Sequence, residues 1–80
     1  MLELRPNCEC CDRDLPAESP DALICSFECT FCRTCNGRHF QGQCPNCGGQ
    51  LVARPTRTGN ALLNNPAATQ RVNKPHTVCT

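Results

Sequence analysis

The fold of this chain is decided by residues 8–47, which read CECCDRDLPAESPDALICSFECTFCRTCNGRHFQGQCPNC. Eight of the chain's ten cysteines fall in this stretch, in the pattern Cys-x2-Cys-x13-Cys-x3-Cys-x2-Cys-x2-Cys-x8-Cys-x2-Cys. They are Cys8, Cys11, Cys25, Cys29, Cys32, Cys35, Cys44 and Cys47. Because four thiolates complete one tetrahedral metal site, eight are sufficient for two sites.

Few apolar residues are available to stabilise a domain by packing alone. The chain has 80 residues, three of them Phe, and it contains neither Trp nor Tyr. A chain of this size buries a modest fraction of its surface on folding, and small domains are commonly held together by disulfides or metal. The sequence therefore predicts one domain that depends on its cysteines.

The first residues and the hydropathy of the chain indicate its compartment. Glu3 and Arg5 interrupt residues 1–6, whereas a signal peptide needs a continuous apolar stretch. No apolar run approaches the roughly 20 residues of a membrane span. We therefore expect a cytoplasmic protein with no membrane association. In a reducing compartment, closely spaced cysteines favour metal, here two Zn²⁺ ions, over the alternative of structural disulfides.

The pairing of the central cysteines is not unique. Cys-x2-Cys pairs suit zinc because the backbone turns round the metal and donates N–H groups to the sulfurs. Two such pairs stand at the ends of the pattern, but Cys32 can pair with either Cys29 or Cys35. A sequential arrangement is also open, in which one metal is bound by Cys8, Cys11, Cys29 and Cys32. So are a single treble-clef or zinc-ribbon site and an iron–sulfur centre, since Cys29-x2-Cys32-x2-Cys35 is similar to a ferredoxin motif.

A short strand is expected at residues 22–24, which read ALI. The chain cannot continue straight through the next two cysteines. If residues 25–29 were extended, Cys25 and Cys29 would lie about 13 Å apart at ~3.3 Å per residue, too far for one metal. Either residues 26–28 form a tight turn or the two cysteines serve different metals.

The chain divides near residue 52. Residues 33–40 favour a short helix, which the Asn-Gly step at residues 36–37 weakens. Residues 1–52 form the predicted zinc-binding domain. Residues 53–80 contain three Pro and lack a helical or strand period, which predicts a flexible, basic C-terminal tail.

Charge is distributed unevenly between these parts. Residues 1–50 carry all seven acids and four Arg, whereas residues 51–80 carry four basic residues and no acid. Each zinc site made of four cysteines adds a formal −2, so the metal-binding part would carry about −7. This charge disfavours nucleic acid as a partner.

The spacing resembles that of the RING-type cross-brace family, whose last ligand pair is matched by CPNC at residues 44–47. The resemblance implies that alternate pairs share a metal. One zinc would be bound by Cys8, Cys11, Cys32 and Cys35, and the other by Cys25, Cys29, Cys44 and Cys47. Cys29 stands where the family usually has His. Glu9 stands where ubiquitin ligases favour an aliphatic contact, so we expect no ligase activity.

A second resemblance covers roughly residues 1–54. It is carried by MLELRPNCECCDRDLP, ICSFECTFCRTC and CPNCGGQL. These segments look like a family of short, cysteine-rich bacterial proteins of unknown function. Membership implies a bacterial cytosolic zinc-binding protein and no known reaction.

Four further side chains are candidates for additional ligands. Cys10 lies between two predicted ligands, so its thiol should point away from the metal and be spare, with redox sensing as the alternative. We expect His39 to be a surface or supporting histidine. His76 and Cys79 are expected to be exposed and unliganded.

No catalytic residue is predicted, because four thiolates close a zinc site whereas catalytic zinc keeps a position for water. The predicted fold is a small metal-stabilised α+β structure, a RING-like or treble-clef zinc finger with a short β-hairpin, one short helix and a disordered C-terminal tail. The predicted function is a two-zinc module that binds an unknown protein partner. A zinc-handling or thiol-redox protein is the alternative.

Overall fold

The structure is a computed structural model in which residues 1–72 are described. Its elements, in chain order, are β1 (Ala22–Ile24), β2 (Thr30–Cys32), α1 (Arg33–Cys35), β3 (Val52–Ala53) and α2 (Gly59–Asn64). One π-helical turn, Asn36–Phe40, continues α1. The short strands and helices form the small α+β fold that the sequence predicts.

The three strands form an antiparallel sheet in the order β2-β1-β3. A tight turn joins β1 to β2: the Glu28 N–H donates to the Cys25 carbonyl at 3.0 Å, and the Cys25 N–H donates to the Cys29 carbonyl at 3.3 Å. Glu28 adopts a left-handed φ of 63°, which lets the chain reverse within a few residues. Of the two arrangements left open by the sequence, the chain therefore adopts the turn, which brings Cys25 opposite Cys29.

Residues 33–40 are helical, as the sequence predicts, but the helix is irregular. It begins where the Cys32 sulfur accepts the Cys35 N–H at 3.4 Å. The wider π turn follows over Asn36–Phe40 and closes with a 2.6 Å hydrogen bond from the Gln41 N–H to the Asn36 carbonyl. The turn ends with Phe40 buried.

The core contains many cysteines and few aliphatic side chains. Seven of the thirteen residues in the main buried cluster are Cys, and the others are Leu15, Ala22, Leu23, Phe31, Phe40 and Leu51. The rings of Phe31 and Phe40 meet edge to face with 4.8 Å between their centroids. Cysteine side chains therefore supply much of the packing of this core.

Arginines of residues 53–72 contact the N-terminal part of the chain, within the segment for which the sequence predicts a flexible, basic tail. Arg54 is buried, and its guanidinium donates to the carbonyl oxygens of Arg5, Leu15 and Pro16 at 2.9, 3.1 and 2.9 Å. Arg71 pairs with Asp12 and Asp14 at 3.0 and 2.7 Å. The tail's arginines thus bind the N-terminal segment instead of forming a free basic surface. The helix α2 is also additional to the one short helix expected.

Candidate metal centre

Four cysteine sulfurs meet beside β2 and the start of α1. The sulfurs of Cys8, Cys11, Cys32 and Cys35 all lie within 4.8 Å of one another, and we call this group site 1. The Cys11 and Cys32 sulfurs are 3.7 Å apart. A tetrahedral zinc with Zn–S bonds of about 2.3 Å requires sulfurs roughly 3.8 Å apart. Site 1 therefore has the dimensions of a metal site.

A second group of sulfurs lies at the other end of the hairpin. The sulfurs of Cys25, Cys44 and Cys47 lie within 4.8 Å of one another. Cys29 falls outside this limit, but it is joined to Cys25 across the turn, where the Cys25 N–H donates to the Cys29 carbonyl at 3.3 Å. We call these four residues site 2. Its first three members are already grouped, and the fourth adjoins one of them.

The backbone around each site forms knuckles. The N–H groups of Cys10, Cys35 and Gly49 donate to the sulfurs of Cys8, Cys32 and Cys47, each at 3.4 Å. Such N–H···S bonds stabilise negative charge on sulfur and orient it toward a metal.

Gly49 is needed for close approach at site 2. A Cβ at Gly49 would lie 3.3 Å from the Cys47 sulfur, and the neighbouring Gly48 has a φ of 78°. The chain turns tightly here, since the Gly48 N–H donates to the Cys44 carbonyl at 2.9 Å and the Cys44 N–H to the Gly49 carbonyl at 2.7 Å. The glycine pair thus folds the chain closely around the Cys47 sulfur.

Burial opposes ionisation of several of these thiols. It raises the pKa of Cys35 well above its ordinary value, with hydrogen bonding to Cys32 and the charge of Cys8 adding to the effect. Burial also raises the pKa of Cys44 to about 12. At Cys25 burial acts in the same direction, but hydrogen bonds led by the backbone of Phe27 and Cys29 outweigh it and lower its pKa. A bound dication supplies the charge that lets crowded thiols ionise.

All-sulfur donor sets select particular metals. Thiolates favour Zn²⁺, Cu⁺ and iron–sulfur clusters over Mg²⁺ or Ca²⁺. Three features fit one of these thiolate-preferring metals: the grouped sulfurs, the N–H···S bonds and the glycine near Cys47. Two cysteine clusters that can each hold a metal ion are therefore present.

The alternative pairings are not those that the structure brings together. A sequential site would combine Cys8 and Cys11 with Cys29, but Cys29 adjoins Cys25 in site 2. The ferredoxin-like triad is likewise divided, because Cys32 and Cys35 belong to site 1. Alternate pairs share a cluster, so the two sites are interleaved along the chain.

The other ligand candidates take no part in the clusters found within residues 1–72. His39 is exposed, and its ring lies 6.0 Å from that of Phe40. The expectation of a spare thiol at Cys10 is wrong, since Cys10 is buried and disulfide-bonded. His76 and Cys79 lie outside the described residues.

Two acids beside the ligands have structural partners. Glu28 accepts a hydrogen bond from the Glu3 N–H at 2.7 Å. Asp12 accepts hydrogen bonds from Asn7 at 2.9 Å and from Arg71 at 3.0 Å. Both carboxylates are thus hydrogen-bonded within the chain.

Sequence reasoning missed the role of Glu9 and Asn46. Glu9 has no exposed surface, and its carboxylate accepts hydrogen bonds from Arg5, Thr30 and Asn46. The positions of Glu9 inside the first Cys-x2-Cys pair and of Arg5 four residues earlier were available as a signal. The contacts with Thr30 and Asn46 depend on the fold, so no sequence signal indicated them.

Fold and clusters together define a small, cysteine-rich protein with two groups of potential metal ligands. A family profile described as "Protein of unknown function (DUF1272)" matches residues 1–57, and the chain belongs to this family. It is 63% identical over 75 residues to an uncharacterized protein of Rhizobium meliloti (strain 1021), covering 94% of this chain and 89% of the relative. No solved structure matches the chain significantly.

Among the residues that the structure describes, the helices are all too short or too polar to cross a lipid bilayer.

Proposed function

We propose that this protein is a two-zinc module whose metals stabilise its fold and whose loops bind a protein partner. The observation that carries the proposal is the interleaving of two cysteine clusters over residues 8–47. Each site ties together segments distant in sequence. A structural zinc in such a site contributes on the order of 10–16 kcal/mol to folding, which compensates for the small aliphatic core.

Zinc is the proposed metal because four thiolates suit it and because tetrahedral sites with four cysteine ligands are typically structural. We propose that Cys29 completes site 2 as its fourth ligand. With four protein ligands at each metal no position remains for a reacting water, so we propose no enzymatic activity. A reducing, cytoplasmic compartment suits the eight free cysteines.

Protein binding is supported by the turn between Cys25 and Cys29. Phe27 lies on this turn with 71% of its surface exposed. An aromatic side chain held outward by two ligands is well suited to anchor a partner, because such residues often dominate binding energy.

Nucleic acid is not favoured as the partner. The seven acids and seven Arg within residues 1–72 cancel, so two zinc sites of four thiolates each would leave a formal charge of about −4. Arg54, Arg57 and Arg71 are hydrogen-bonded within the chain. Binding to DNA or RNA that weakens steeply with salt would overturn this argument.

Zinc handling or thiol-redox activity is the second candidate. The exposure of Cys11 and Cys47, one in each cluster, favours it, and so does the disulfide at Cys10. Exposed ligands make metal exchange and oxidation easier. A metal that leaves in mild peroxide or at modest chelator concentration would support this candidate over a structural module.

The test of the main proposal is metal analysis combined with chelation. Protein purified under reducing conditions should contain two zinc ions per chain and should lose its dispersed NMR spectrum when a strong chelator removes them. A native-like spectrum in the metal-free protein would contradict the structural role of zinc. Brown protein absorbing near 400 nm would identify an iron–sulfur centre instead.

A further inference from the structure

Glu9 is a buried carboxylate that touches the segments of both clusters. Glu9 has no exposed surface, and it follows Cys8 of site 1 directly in the chain. Burying a carboxylate is costly unless hydrogen bonds and a countercharge compensate it. Arg5 supplies the charge, with its Nη1 3.1 Å from Oε2 of Glu9. The remaining contacts explain why the carboxylate lies at this position.

The first of these contacts is with Thr30, which lies between Cys29 of site 2 and Cys32 of site 1 in the chain. The Thr30 N–H donates to Oε2 of Glu9 at 2.8 Å, and the Glu9 N–H donates to the Thr30 carbonyl at 2.9 Å. Both backbone polar groups of Thr30 are thus bound by one residue. This fixes the strand that carries a ligand of each site.

The second contact is with Asn46, inside the last Cys-x2-Cys pair. Nδ2 of Asn46 donates to Oε1 of Glu9 at 3.2 Å. In the chain, Asn46 lies between Cys44 and Cys47 of site 2. The knuckle of site 2 is therefore connected through Asn46 and Glu9 to the knuckle of site 1.

Cys29 is the ligand whose position would depend on the contacts of Glu9 with Thr30 and Asn46. It lies outside the 4.8 Å group of its three partners, whereas site 1 has all four sulfurs within that limit. Metal in site 1 holds Cys8, and thereby holds the Glu9 backbone that follows it. The Glu9 carboxylate then holds Thr30, which follows Cys29 in the chain, and Asn46, which lies between the other two site 2 cysteines Cys44 and Cys47.

We propose that Glu9 is a positioning residue that couples the two metal sites, so that metal in either site raises the affinity of the other. The proposal rests on the proposed two-metal function. Residues that orient metal ligands typically change metal affinity roughly 10–100-fold when they are replaced. Coupling between two binding sites is reciprocal, so it can be measured from either one.

The test uses Glu9→Gln in the full chain. A carboxylate accepts hydrogen bonds at both oxygens, but an amide has one acceptor oxygen, so either Thr30 or Asn46 loses its acceptor. The affinity of site 1 for Co²⁺ is measured by thiolate-to-cobalt absorption against a competing chelator. It is measured with site 2 intact and with site 2 blocked by Cys44→Ala and Cys47→Ala.

In the wild type, blocking site 2 should weaken Co²⁺ binding at site 1. In Glu9→Gln this effect of blocking should largely disappear, and Co²⁺ affinity at site 2 should fall roughly 10–100-fold. Asn46→Ala, a change at an exposed residue that retains the contact between Glu9 and Thr30, should also reduce the coupling. Glu18→Gln and Asn60→Ala, which alter exposed residues away from both clusters, are the matched controls.

The possible results distinguish failure of the coupling from failure of the proposed two-metal function. Equal weakening of both sites by Glu9→Gln, with the effect of blocking unchanged, would show a merely structural role and overturn the proposal. The proposal would also be overturned if the two single variants, Asn46→Ala and Glu9→Gln, both kept the coupling of the wild type. A wild-type protein that binds fewer than two Co²⁺ ions would instead overturn the proposed function, and the coupling with it.

Discussion

The ring of Phe31 meets that of Phe40 edge to face, with 4.8 Å between centroids and an interplanar angle of 64°. Phe31 is on β2, between Cys29 and Cys32, and Phe40 ends the π turn that follows Cys35. This aromatic pair joins the hairpin to the helical segment. Its position makes the packing of the core and the geometry of both clusters interdependent.

Replacement of Phe31 by Ala should therefore be strongly destabilising. Phe31 has no exposed surface, and large-to-small changes of buried Phe cost about 3–5 kcal/mol. Denaturant unfolding of the zinc-loaded protein would measure the loss. Phe27→Ala is the control, since Phe27 is 71% exposed, and a similar loss in both variants would contradict the assigned core.

Gly49→Ala should weaken metal binding at site 2 and leave site 1 nearly unchanged. The added Cβ would lie 3.3 Å from the Cys47 sulfur, so the ligand must move. We expect a loss of about tenfold in Co²⁺ affinity, at the lower end of the effect of disturbing residues around metal ligands. Gly37→Ala adds a Cβ with nothing within 4 Å, and equal effects of the two substitutions would exclude this explanation.

Metal binding should strengthen as pH rises. Burial raises the pKa of Cys44 from its ordinary 9.0 to about 12, so the metal-free folded chain retains a proton there that the unfolded chain loses. Cys44 therefore stabilises the metal-free fold below pH 9, and this contribution is lost as pH rises toward 12. Metal must displace that proton, so its apparent affinity should rise about tenfold per pH unit for each proton released.

Chelator competition across a pH series would measure this dependence. Titrations in buffers of different ionisation enthalpy would count the protons released. An affinity that does not change between pH 6 and pH 8 would mean that the ligands are already ionised in the metal-free protein.

Arg54→Ala should release residues 53–72 from the N-terminal segment. The buried guanidinium donates to three backbone carbonyls, and buried acceptors left without a donor cost about 1–3 kcal/mol. Hydrogen exchange and limited proteolysis should show increased exposure of this segment. Arg38→Ala, at an exposed position in the π turn, should leave both measurements unchanged.

The hairpin and the helical segment could be read from local sequence because their signals are local. Residues 22–24 have the apolar composition of a short strand, and the distance between Cys25 and Cys29 in an extended chain requires either a turn or two metals. The structure adopts the turn. The grouping of alternate cysteine pairs came from the resemblance to cross-brace proteins, because spacing alone allowed Cys32 two partners.

The contacts of Arg54 and Glu9 could not be read in the same way. Arg54 donates to the carbonyl oxygens of residues 5, 15 and 16. Every residue has a backbone carbonyl, so no sequence pattern marks these three as the acceptors. The Pro and polar residues after residue 53 predict flexibility, and they carry no signal for these contacts. Glu9 departs in type from the aliphatic residue of the cross-brace pattern, but its hydrogen-bonded side chain is buried as an aliphatic one would be.

Interleaving of the two clusters also governs how the protein can be made. The ribosome releases Cys8 and Cys11 first, but Cys25 and Cys29 follow before Cys32 and Cys35 can complete site 1. The nascent chain thus passes through a stage in which four cysteines from two different sites are exposed together and can bind one metal in the wrong combination. No cut between residues 11 and 44 yields two halves that each contain one complete cluster, so the eight cysteines form one indivisible unit.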